Sequence, residues 1–258
     1  MKTFITLLAL PLLSCTTPTT GGATTTPEAI APLTAADSVQ INPVHHSFMV
    51  LQYGKTTIYV DPHTGPERFA NYPAPDLVLI TDIHPDHLDT ATLAALPLDH
   101  ARIVAPKAVV ELLPARLQEK CSTMANGEEI ELNNVLITGI PMYNLPPSPS
   151  AFHPKGRGNG YVLALGGKRV YISGDTQGIP EMRALQNIDI AFVCMNLPYT
   201  MDVDEAADAV LAFKPKVVYP YHYRGTNGFS DVKKFKELVN AKVPAIDVRL
   251  VDWYPEGQ

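Results

Sequence analysis

From about residue 37 onward the chain alternates short apolar runs with turn residues at intervals that suit strands. Residues 48–53 and 56–60 are apolar runs separated by Gly54-Lys55, and residues 161–165 and 169–173 repeat the arrangement around Gly166-Gly167. Each pair predicts a hairpin with a two-residue turn, and each closes on an acidic residue, Asp61 or Asp175. That recurrence predicts a pseudo-duplicated fold. A third hairpin, 128–132 with 135–140, is predicted around Asn133-Asn134, and residues 77–80, 102–105, 189–195, 217–222 and 245–251 read as further strands. Helices are expected at 90–96 behind Asp89 as cap, at 107–113 ended by Pro114, and at 180–186, 202–213 and 231–240. In the fourth of these, Ala206, Ala209, Val210 and Phe213 fall on one side. Strands in both halves with helices interspersed predict an α/β fold of two sheets packed face to face between helical layers.

The first 36 residues break this pattern. Lys2 precedes an apolar run from Phe4 to Leu13, too short to span a bilayer as a mature helix, which ends in Leu12-Leu13-Ser14-Cys15. Residues 1–15 read as a secretion signal that resembles the lipobox of bacterial lipoproteins, with Cys15 as the lipidated residue. The alternative is an ordinary signal peptide that contains a cysteine. Residues 16–36 are rich in Thr, Pro, Gly and Ala with almost no charge, a composition for a flexible tether. The expected organisation is therefore leader 1–15, tether 16–36 and one folded domain 37–258. A 46% hydrophobic content supports a large core. A net charge of −6 without a basic stripe argues against a nucleic-acid partner. Cys15, Cys121 and Cys194 show no metal-knuckle spacing; Cys121 and Cys194 are expected either as free thiols or as a pair.

The chemistry concentrates where the apolar run 77–80 ends. Asp82, His84, Asp86 and His87 fall within six positions, with Pro85 preventing a helix across them. Imidazole and carboxylate are protein ligands of divalent zinc, iron and manganese. In an extended segment Asp82, His84 and Asp86 face one pocket, and His87, at the turn, points to a second position. The plain alternative is a polar loop with two solvated histidines. Residues 144–159 form a long loop dense in Pro, Ser and Gly that contains His153, and Asp175 and His222 sit at the ends of apolar runs.

In order and spacing, Asp82-Ile83-His84-Pro85-Asp86-His87, His153, Gly174-Asp175-Thr176 and Pro220-Tyr221-His222 resemble the motifs of the metallo-β-lactamase superfamily of metallohydrolases, whose first motif is His-x-His-x-Asp-His. The resemblance runs from about residue 39 to the end. It looks closest to the branch of ascorbate-6-phosphate lactonase-like and N-acyl-phosphatidylethanolamine phospholipase D-like proteins, through His46-Ser47 before the first hairpin. It implies an αββα sandwich of two mixed sheets flanked by helices, holding two divalent ions, Zn2+ first and Mn2+ or Fe2+ behind it. Asp82, His84 and His153 would ligate the first ion, Asp86, His87 and His222 the second, and Asp175 would bridge them. Asp86 would also orient the water that the ions activate. Asp82 departs from the motif, standing where the family carries histidine; it either ligates or braces a ligand.

His46 is expected to contact substrate, to brace a ligand, or simply to be a satisfied structural histidine. Lys155, Arg157 and Arg224 flank His153 and His222, so they either bind an anionic substrate group or are solvated. Tyr143, Tyr199, Tyr221 and Tyr223 either line the pocket or pack. The reading is a lipid-anchored hydrolase of the cell envelope, on the periplasmic face of the outer membrane where the host has one. Its expected substrate is a small or lipid-like phosphodiester, lactone or ester rather than a β-lactam. A non-catalytic envelope protein that binds metal or a ligand on the same fold is the alternative.

Overall fold

A computed structural model describes residue 1 and residues 38–255. The expected lipidated leader with Cys15 and the tether therefore lie outside the described residues, Met1 apart. No helix among the described residues is long and apolar enough to cross a membrane.

The apolar runs pair into two mixed sheets. The first has the spatial order β1 (Gln40–His45), β2 (Phe48–Tyr53), β3 (Thr56–Val60), β4 (Leu77–Leu79), β5 (Arg102–Ala105) and β6 (Cys121–Thr123). Its first three strands are antiparallel and the rest parallel. The second sheet begins with the antiparallel strands β7 (Glu129–Leu132), β8 (Val135–Met142), β9 (Gly158–Leu165) and β10 (Lys168–Ile172). It continues in parallel through β11 (Ile190–Cys194), β12 (Val217–Tyr221) and, at the edge, β15 (Asp247–Val248). Between the last two lies a small ribbon, β13 (Arg224–Gly225) with β14 (Gly228–Phe229). Each sheet thus opens with antiparallel hairpins and ends in parallel crossovers, the repetition expected from the two similar hairpins. The turns are of the predicted kind: Asn133 and Asn134, and Gly166 and Gly167, all take positive φ, as a two-residue hairpin turn of this hand requires.

The period of two decides the layers. In β2, Met49 and Leu51 face the core shared with the second sheet, whereas Phe48 and Val50 face away. Ile58 and Val60 oppose Tyr59 in the same manner, as do Leu77 and Leu79 against Val78. The outward set packs on Leu93 of α1 (Thr90–Ala95), Val109 of α2 (Lys107–Val110) and Leu117 of α3 (Ala115–Gln118). The second sheet is covered by α4 (Pro180–Arg183), α5 (Val203–Phe213) and α6 (Val232–Lys242), through Met182, Val210, Phe213, Phe235 and Val239 among others. Each such side chain contributes about 1.5–3 kcal/mol on burial.

Three expectations are corrected in detail, and one left open is settled. The helix expected over 107–113 stops at Val110, and a new helical turn, α3, starts behind Pro114; proline suits the start of a helix as well as its end. The last strand is two residues long rather than the whole of 245–251. β1 and β6 are additional strands. Both are sheet edges, where short length, polarity and, in β1, Pro43 are tolerated. Cys121 and Cys194 are free thiols, one in each sheet, so no disulfide joins them.

Candidate metal centre

The site residues gather at the C-terminal ends of strands from both sheets. Behind β4, backbone N–H groups of His87 and Leu88 donate to the His84 carbonyl, closing a turn that brings His84, Asp86 and His87 round to one side. Asp175 follows β10, where Gly174 sits at φ +59 with its N–H donated to the Tyr221 hydroxyl. A Cβ on Gly174 would lie 2.6 Å from the Met142 sulfur and would be strained at this positive φ, so glycine suits this corner. His222 directly follows β12, with φ 48. His153 is pinned within the 143–157 loop by its reciprocal bonds to Asn144: the His153 N–H donates to the Asn144 side chain at 2.7 Å, and the Asn144 N–H to the His153 carbonyl at 3.0 Å.

Around Asp175 the donor atoms converge. His222 Nε2 lies 3.1 Å from His87 Nε2, 3.4 Å from Asp175 Oδ1 and 3.3 Å from Asp86 Oδ2. His87 Nε2 lies 3.5 Å from Asp175 Oδ2. Ligands about 2.0–2.1 Å from a tetrahedral zinc are separated by about 3.3–3.4 Å, so these distances are those of a zinc-type donor set. The Asp175 Oδ1 atom is buried without a hydrogen-bond partner among the described residues. Burial alone would raise the Asp175 carboxyl, but His222 and His87 outweigh it and hold it well below the usual carboxylate range. Burial likewise opposes charge on His87, yet Asp175, Asp61 and Asp86 drive it well above the ordinary imidazole value. Such a concentration of acceptor charge suits a bound cation. His87, Asp175 and His222 are all buried, and Asp86 is partly exposed at the mouth.

His87 and His46 have their second nitrogens fixed. His87 Nδ1 lies 2.8 Å from the fully buried Asp61, whose carboxylate also accepts from the Thr81 N–H and hydroxyl. Asp61 thus braces His87 from behind. His46, in the turn before β2, has Nδ1 at 2.7 Å from the Tyr254 hydroxyl and Nε2 at 3.3 Å from Asp86 Oδ2. Burial, then the neighbouring His222, lowers its pKa to about 3, so it is a neutral ring beside this cluster. His46, Asp86 and His222 themselves form one of three groups among the described residues whose ligand atoms converge.

The remaining group is Asp82, His84 and His153. His153 Nε2 is 3.2 Å from Asp175 Oδ2, so the two clusters adjoin through that carboxylate. Asp82 Oδ2 is 3.1 Å from His84 Nδ1 and 3.9 Å from His153 Nε2. Asp82 is also held by Arg157, whose Nε and Nη2 reach its two oxygens at 3.0 and 2.7 Å.

The other expected contacts resolve as follows. Lys155 pairs with Glu181 at 2.7 Å and lies over the Tyr143 ring, and Arg224 lies over Tyr254; neither lines the cleft. Tyr143, Tyr221 and Tyr223 pack inside, and Tyr199 reaches the cleft. That cleft, about 310 Å³, is lined by His84, Pro85, Asp86, Phe152, His153, Asp175, Asn196 and Tyr199. A second hollow of about 350 Å³ opens between the start of α5 and the β13–β14 ribbon, but no converging metal-ligand group lies there among the described residues. Phe152, Asn196 and the His46 anchor Tyr254 carry no sequence signal of their own; only the adjacency of Phe152 to His153 pointed to the loop.

Comparison with known proteins agrees with this architecture. A family model described as a beta-lactamase superfamily domain matches residues 40–222. A UPF0173 metal-dependent hydrolase of Pyrococcus abyssi is 30% identical over 206 residues, covering 75% of this chain and 89% of that protein. A crystal structure from Parabacteroides distasonis, designated a metal-dependent hydrolase, is 37% identical with a TM-score of 0.72 and covers 82% of this chain and 92% of the other. A metallo hydrolase from Ignicoccus hospitalis, 24% identical with a TM-score of 0.69 over 83% and 95% of the two chains, shares the fold. With this fold, these motifs and these relatives, the chain belongs to the metallo-β-lactamase superfamily, among its UPF0173 metal-dependent hydrolases.

Proposed function

We propose that the protein hydrolyses a phosphodiester or a lactone or other ester, with a divalent ion held by Asp86, His87, Asp175 and His222. The observation that carries this is the convergence of His87, Asp175 and His222 at tetrahedral-edge distances, with Asp86 3.3 Å from His222, beside a cleft open to solvent. When bound there, an ion supplies Lewis acidity and lowers the pKa of a water towards neutrality. The imidazole and carboxylate donors suit Zn2+, with Mn2+ or Fe2+ as the next choices. The two-ion form of this reading adds an ion on Asp82, His84 and His153, with Asp175 between the two.

The chain's own residues supply the rest. Asp86 has Oδ2 engaged by His46 and His222, and it lines the cleft, so its carboxylate is placed to orient the attacking water and take up its proton. Phe152 and Tyr199 meet edge to face at 5.0 Å and form an apolar wall, which favours a substrate with an apolar or lipid-like portion. The resemblance to lactonase-like and phospholipase-like branches points to the same substrate classes.

The test is hydrolysis of a chromogenic phosphodiester, an aromatic lactone and a cephalosporin, with and without chelator. Chelator-sensitive turnover of one of the first two is expected, with at least a ~100-fold loss in His222→Ala. No turnover of any of them by metal-loaded protein would leave the non-catalytic binding role, which the arginine lodged against Asp82 favours. The anchor at Cys15 belongs to the same proposal and places the enzyme in the cell envelope, facing the periplasm from the outer membrane in a host that has one. Incorporation of labelled palmitate that persists in Cys15→Ser would remove the anchor.

A further inference from the structure

The cluster of Asp82, His84 and His153 already contains a cation. Asp82 is fully buried, and both of its carboxylate oxygens are taken by one guanidinium: Arg157 Nε donates to Oδ1 at 3.0 Å and Nη2 to Oδ2 at 2.7 Å. The same Nη2 donates to the Phe152 carbonyl at 2.6 Å and lies 3.2 Å from His84 Nε2. Asp82 Oδ2 is the oxygen nearest both His84 and His153, so the atom that would bind an ion between them is the atom Arg157 holds. A guanidinium does not lose its proton in a protein. An ion entering this cluster would therefore face a permanent positive charge at contact distance, or would have to expel Arg157 and leave it unpaired in a setting where 19% of its side chain is exposed.

The charges explain the departure from the family motif. A histidine at position 82 would be a neutral ligand and would leave Arg157 without a carboxylate partner, with the Phe152 carbonyl and His84 as its remaining contacts. The aspartate at that position balances the arginine one for one, and the bidentate fork fixes both. We propose that Arg157 takes the place of the first metal ion, so that the chain holds one divalent ion, on Asp86, His87, Asp175 and His222, with the guanidinium supplying the fixed positive charge of the other subsite. The Arg157 bond to the Phe152 carbonyl gives that pair a second task, since it ties the apolar wall of the cleft to the loop behind β4.

The inference rests on the metal-dependent reading of the same site, and ion stoichiometry separates the two. Full-length protein is saturated with Zn2+, freed of excess and analysed for zinc per chain by mass spectrometry. The expected values are one ion for wild type and two for the folded double variant Asp82→His with Arg157→Ala, which restores a neutral ligand and removes the cation. Two ions on wild type would overturn the inference and leave the hydrolase reading standing. No ion on wild type would overturn both. A double variant that retains its circular dichroism and still holds one ion would overturn the assignment of Arg157 as the group that excludes the other. The wild-type count decides the question even if the double variant fails to fold.

Discussion

Asp61 shows how a residue outside the cleft sets the chemistry within it. Because its carboxylate engages Nδ1 of His87, the nitrogen left for an ion is Nε2, the one that converges with His222. Replacing Asp61 by Ala removes the acceptor for the Thr81 N–H and hydroxyl as well as for His87. Zinc affinity is expected to fall about 10- to 100-fold, read by competition with a coloured chelator, and Asp61→Asn should lose less because one acceptor oxygen remains. Unchanged affinity in the alanine variant would show that His87 is held by packing alone. At this scale the sequence revealed ligand types but not their partners. Asp86, His87, Asp175 and His222 stand at the ends of apolar runs, where a reader looks for a site. Arg157 is one of two basic residues in a glycine-containing loop, 75 positions from Asp82, and nothing local says which carboxylate it meets.

At the scale of elements, local signals governed what could be read. The Gly-Gly and Asn-Asn turns announce their hairpins because few other residues tolerate positive φ there. The cap Asp89 was equally visible, whereas Asp202 and Asp231, read as the first residues of their helices, prove to be caps as well; all three accept from backbone N–H groups in the first turn of the helix that follows. Asp231 accepts from Lys233 and Lys234, and α6 carries Phe235 and Val239 onto the second sheet. Asp231→Ala is expected to cost about 1 kcal/mol, a fall in Tm of about 2–4 °C for a domain of this size, measured by thermal denaturation. A loss below half a degree would mean that tertiary packing alone sets that helix start. The edge strands β1 and β6 were not legible, since their stability comes from a neighbouring strand already in place and not from a pattern of their own.

For the whole molecule, the site is a cross-link between the two halves. The loop behind β4 belongs to the first sheet, whereas Asp175 and His222 follow strands of the second. An ion bound at Asp86, His87, Asp175 and His222 therefore stabilises the packing of one sheet on the other, by about 2.7 kcal/mol when free metal is 100 times its Kd. Chelation is expected to lower Tm by about 5–10 °C, with recovery on adding Zn2+, followed by calorimetry. A Tm indifferent to chelator would mean that the donor set is already satisfied without an ion.

The position of His222 in the chain has a further consequence for synthesis. Its strand, β12, lies between β11 and the edge strand β15, and it is made only after the whole first sheet and most of the second. A growing polypeptide therefore offers passing metal ions an incomplete set of donors until β12 has been made. Ion capture therefore waits for β12, and a chain truncated within that strand would retain the first sheet and most of the second yet lack the donor that closes the centre.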